Sequence, residues 1–160
     1  MYVLLMLISA LENVTIVKNM TATDVAALDA VFSDVNELAT DAEGVDLSRK
    51  GNLSLVSIAT RQHCYTFDIL DCTLKDPMVH FLRKLLEDDS KTKIIHDCRM
   101  DSDALEHIAQ IKLANIHDTS CFHTVLTDEN EISLNNLLAY HKIEVNAVRD
   151  RNVYKENHAW

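Results

Sequence analysis

Apolar residues recur along this chain at two different periods, and the switch between them divides it. Residues 14–17 are β-branched and short enough for a strand. Val25, Leu28, Val31, Phe32 and Val35 then fall on one face of a helix that Thr23 is placed to cap. Residues 37–41 rise into a strand that ends on acids. Leu53, Leu55, Val56, Ile58 and Ala59 form a second strand, and Tyr65, Phe67 and Ile69 alternate as a third. The short links between these three predict an antiparallel meander.

Beyond residue 70 the helical period takes over. Asp76-Pro77 reads as an N-cap with proline at the first helical position, followed by the apolar stripe Met78, Phe81, Leu82, Leu85 and Leu86. Residues 93–96 read as a strand and 104–110 as a short helix. Ile116 opens a fifth strand, residues 119–126 form another helix, and Ser133 caps a last one with Leu134, Leu137 and Leu138 inward. Strand and helix segments in this order predict an α/β layered domain on a mixed five-stranded sheet. Residues 1–13 form an apolar leading segment, and 14–160 a single domain without an internal repeat.

Composition changes the picture only in places. The chain has 160 residues, two glycines and one proline, enough length to bury a core without a metal or disulfide. Its formal net charge is -10, which argues against nucleic-acid binding by a basic surface alone. The apolar run Met1 to Ala10 is shorter than a membrane span and lacks the basic flank of a signal peptide. Four cysteines without a C-x-x-C pair suit reduced thiols in an intracellular protein, cytoplasmic or nuclear. The ligand-rich stretch His117 to His123 has no partner pair at zinc-finger spacing, so core and turn roles are expected there.

The candidate chemistry is acidic. Asp41 and Glu43 lie two apart at a strand end and project to the same side, where two like charges are costly unless a cation neutralises them. Gly44 directly after them allows a turn and a close approach. A second group, Asp97, Asp101 and Asp103, lies where the strand after Lys93 turns into a helix. An acid there can cap the helix or complete a metal cage.

In order along the chain, Asp41-Ala42-Glu43-Gly44, His96-Asp97-Cys98-Arg99 with its following aspartate, His117-Asp118-Thr119 and Ser133-Leu134-Asn135-Asn136-Leu137-Leu138 resemble a known family. They are similar to the motifs of DEDD-type 3'-5' exonucleases, in the ribonuclease D-like branch with Egalitarian-type and piRNA-pathway proteins. The resemblance implies a ribonuclease H-like fold and a two-metal phosphodiesterase acting on 3' ends of RNA or DNA with Mg²⁺ or Mn²⁺. It implies Asp41, Glu43 and Asp101 as metal ligands, with Asp103 the alternate for Asp101. Gly44 and Asp118 support the site, while Arg49, Lys50 and His96 are the candidate nucleic-acid contacts. Ser57 stands where the family often has glutamine. The family's third motif, which supplies a fourth carboxylate, falls beyond the segment that residues 148–160 resemble, so a C-terminally truncated domain with a weakened site is expected. Tyr140 and Glu144 share the third motif's spacing but sit behind a packing helix, and Asp150 has no such spacing. A catalytically weak scaffold for nucleic-acid or protein partners is therefore the alternative reading.

Overall fold

The computed structural model describes residues 13–128 and 130–143. The leading segment through residue 12, Glu144, Asp150 and the stretch 148–160 lie outside the described residues. Two compact units are distinguished, one running through Thr119 and one from Ser120 onward.

The first unit is built on six strands: β1 (Val14–Val17), β2 (Glu37–Glu43), β3 (Leu55–Ala59), β4 (Cys64–Asp68), β5 (Thr92–Ile95) and β6 (Ile116–Asp118), in the spatial order β1-β4-β3-β2-β5-β6. β2, β3 and β4 form the expected antiparallel meander, and β5 and β6 join in parallel beside β2. The sheet has one strand more than expected. β1 adds to the outer edge in parallel with β4, Val14 opposite Cys64, a pairing between residues too far apart in sequence for local pattern to announce.

Helix α1 (Ala22–Phe32) begins one residue after Thr21, not after Thr23. The Thr21 hydroxyl accepts the Asp24 N–H at 3.3 Å while Asp24 accepts the Thr21 N–H at 2.8 Å. That reciprocal capping box fixes the start. Helix α2 (Pro77–Leu86) starts as predicted, with Asp76 accepting the Met78 N–H at 2.9 Å. Both helices cover the sheet face carrying Leu38, Ala42, Val56, Ile58 and Phe67, all buried. Phe81 joins the layers, its ring 6.0 Å from Phe32 and 5.7 Å from Phe67. Lys93 is buried in the same unit, its Nζ donating to the Asp88 carbonyl at 2.6 Å.

Helix α3 (Arg99–Ile108) begins five residues earlier than the apolar pattern indicated. Its first turn carries the polar residues of the site, which hide the helical period. Ala104 and Leu105 then turn into the core.

Helix α4 (Thr119–Thr127) leads into the second unit, which also holds α5 (Leu134–Tyr140), capped by Ser133 on the Asn136 N–H. His123 and Tyr140 rings meet edge to face at 5.0 Å. Phe122, Val125 and Leu126 are exposed. No helix among the described residues is long and apolar enough to cross a membrane.

Candidate active site

The site is assembled where β2 outruns its neighbour. β5 pairs only with Glu37, Leu38 and Ala39 of β2, so beyond Ala39 that edge of β2 has no strand beside it. On its other side β2 stays paired with β3 through Glu43, opposite Leu55. The Ala42 N–H points toward the open edge, and Asp101 in the first turn of α3 accepts it through Oδ1 at 2.8 Å. Strand alternation sends the Asp41 and Glu43 side chains to the face opposite Ala42. Asp101 is thus bonded to the residue between them. Two acids on one face and a third bonded at the strand edge lie at one end of β2.

Their surroundings differ. Asp101 is buried, Asp41 is partly buried and Glu43 is exposed. Burial pushes the Asp101 carboxyl above the ordinary aspartate range, and the nearby charges of Glu43 and Asp97 push the same way, while the Ala42 N–H offsets part of this. Asp41's charge also adds to the burial that raises the Cys64 thiol. The donor set is all carboxylate oxygen, chemistry that suits Mg²⁺ or Mn²⁺. Among the described residues, however, no three His, Cys, Asp or Glu side chains are gathered as a metal-holding group.

The turn that aims Asp101 is held by Asp118. Asp97 adopts a left-handed conformation with φ 56°, and its N–H and that of Cys98 reach the two Asp118 oxygens at 3.0 and 2.8 Å. Thr119 adds to the clamp, donating to the Ile95 carbonyl at 3.3 Å and lying 2.8 Å from His96 Nδ1. Asp118 therefore acts through backbone, fixing the start of α3, whose first turn carries Asp101. The sequence marks Thr119 only as part of the His117-Asp118-Thr119 motif and assigns its hydroxyl no role.

The other candidates make different contacts. Asp103 is engaged by Arg49: the Arg49 Nε and Nη2 donate to Oδ1 at 2.8 and 2.6 Å, and its backbone N–H donates to Oδ2 at 2.7 Å. The guanidinium draws Asp103 below the ordinary aspartate range. Lys50 is exposed in the same β2–β3 loop. Gly44 is required by its own chain, because a Cβ there would stand 1.8 Å from the Asn52 carbonyl oxygen. Its close neighbour is this backbone. Ser57 is opposite Asp41 in the ladder and its hydroxyl lies 3.1 Å from that of Thr66.

The sequence profile of the 3'-5' exonuclease family matches residues 13–155, nearly the whole chain. The chain belongs to that family. Among curated relatives, the piRNA biogenesis protein EXD1 of Bombyx mori is 32% identical over 106 residues, covering 64% of this chain and 33% of the relative. EXD1 of Homo sapiens is 41% identical over 85 residues, covering 52% of this chain and 16% of the relative. The matched region thus spans a third or less of those relatives. Trypanosoma brucei RNase D, solved in complex with RNA U12, superposes with a TM-score of 0.68 at 21% identity, covering 85% of this chain and 50% of that one. Escherichia coli RNase D, an exoribonuclease, gives 0.69 at 19% identity, covering 86% and 36%. The fold is ribonuclease H-like, an α/β arrangement on a mixed sheet.

Proposed function

We propose that this domain hydrolyses phosphodiester bonds from the 3' end of a nucleic acid, with Asp41, Glu43 and Asp101 holding the divalent ions on which the family generally depends. The observation that carries this reading is the Asp101 bond to the Ala42 N–H, between the two acids of β2. Mg²⁺ or Mn²⁺ held by these three carboxylates would supply activation of a water and stabilisation of the leaving 3' oxygen. The chain's own contribution is placement. The β2 ladder fixes the spacing of Asp41 and Glu43, and the Asp118 clamp fixes the helix that carries Asp101. Lys50 and His96, at the two loops bordering the acids, are the proposed contacts to the phosphate backbone. RNA is the favoured substrate, by likeness to an RNase D solved with RNA and to relatives named for piRNA biogenesis.

A second reading has its own support. Glu43 is exposed and the described acids are not gathered as a metal-holding group, as expected of a scaffold that binds nucleic acid or protein without cutting. A 5'-labelled single-stranded RNA separates the two. The exonuclease reading predicts a ladder of stepwise shortening with Mn²⁺, abolished by chelation or by a 3'-terminal phosphate. Retention of the RNA at full length, with binding intact, would establish the scaffold instead.

A further inference from the structure

The β2–β3 loop, residues 44–54, is shaped by contacts of its own. The Asn52 N–H donates to the Val45 carbonyl at 2.9 Å and the Ser54 N–H to the Glu43 carbonyl at 2.8 Å. Neither of its glycines has room for a side chain, since a Cβ on Gly51 would lie 2.0 Å from the Asp46 carbonyl oxygen. One side chain fastens this loop to the helix of the site. Arg49 places its backbone N–H and two guanidinium nitrogens on both oxygens of Asp103. Asp103 lies two residues after Asp101, and the loop begins one residue after Glu43. The pair therefore joins the strand end bearing one acid to the helix turn bearing another.

We propose that Arg49 and Asp103 form a positioning latch that fixes Glu43 relative to Asp101, contacting neither metal nor phosphate. Three hydrogen bonds, two from the guanidinium to Oδ1 and one from the backbone N–H to Oδ2, define the separation more tightly than a single charge pair would. A free cation at this border would suit a phosphate, but this guanidinium is already neutralised. Asp103 is likewise occupied by the donors that a metal would have to displace. The catalytic consequence rests on the exonuclease reading above; the mechanical one does not.

Two readouts on the full chain keep these separate. Amide hydrogen exchange over residues 45–54 is compared for the wild type, Arg49→Met, Asp103→Ala and the double variant. Arg49→Met and Asp103→Ala should each speed exchange roughly two- to fivefold, the range expected for a partly exposed ion pair. The double variant should be no faster than Asp103→Ala. In Mn²⁺-dependent RNA shortening, both single variants should lose about tenfold in kcat with KM within about twofold, as displacement of a ligand predicts. Arg49→Lys should fall between wild type and Arg49→Met. Unchanged exchange overturns the latch. So does a raised KM in Arg49→Met with wild-type behaviour in Asp103→Ala, which would make Arg49 a phosphate contact. Complete loss in Asp103→Ala with Arg49→Met intact would make Asp103 a metal ligand and overturn it as well. A wild type that cuts nothing while exchange rises in both variants defeats the exonuclease reading and upholds the latch.

Discussion

Asp101 has two roles that substitution can separate. Its Oδ1 satisfies a buried N–H, and its negative charge serves the proposed chemistry. Asp101→Asn retains an oxygen acceptor of the same reach and removes the charge. Asp101→Ala removes both and leaves the Ala42 N–H without its partner at a position where Ala42 is 5% exposed. An orphaned buried donor costs about 1–3 kcal/mol. The asparagine variant avoids that cost and also relieves the burial of a carboxylate that Glu43 and Asp97 already disfavour. Urea unfolding should therefore place Asp101→Asn at or above the wild type in stability. Asp101→Ala should lie about 1–3 kcal/mol below Asp101→Asn, a midpoint difference on the order of 1 M. Both should lose Mn²⁺-dependent RNA shortening by at least about a hundredfold. Equal destabilisation by the two substitutions would refute the hydrogen-bond argument. Full activity in Asp101→Asn would refute the role of the charge.

The remaining predictions concern the frame. Gly44→Ala should lower the thermal midpoint by several degrees or prevent folding, because the Asn52 carbonyl oxygen stands 1.8 Å from the new Cβ. Asp118→Ala removes the acceptor of two N–H groups and should cost about 2–3 kcal/mol in urea unfolding, with faster amide exchange at the start of α3. Thr21→Ala should cost about 1 kcal/mol at neutral pH. Bonding to Thr21 holds Asp24 below the ordinary aspartate range, so its share of stability is complete above the unfolded pKa and disappears as pH falls through the folded one. The Thr21→Ala deficit should therefore shrink on acidification, as stability measured from pH 7 to 3 would show.

Local chemistry was legible and long-range pairing was not. Asp76-Pro77 announced α2 because capping and the fixed proline φ act within three residues. The Asp-x-Glu at the end of β2 was readable because strand alternation is a local property. The start of α3 was missed because Asp118, about 20 residues downstream, closes the turn before it. The candidate site was legible as a set of residue types, and the ordered motifs named Asp41, Glu43 and Asp101 as its acids; the structure adds the bond from the Ala42 N–H, between the first two, to Asp101. What sequence could not show is that Asp103, similar in type and spacing, would be taken by Arg49, 54 residues away. Nor could the left-handed Asp97 or the parallel edge pairing of β1 be read from local preference.

In the proposed reaction both acids of β2 are needed for cutting. A 5'-labelled single-stranded RNA with a 3'-hydroxyl, incubated with Mn²⁺ and the wild type, Asp41→Ala or Glu43→Ala, tests it most directly. Stepwise shortening by the wild type and none by either variant, each still folded, is the expected result. Equal shortening, or equal absence of it, in all three proteins would contradict it.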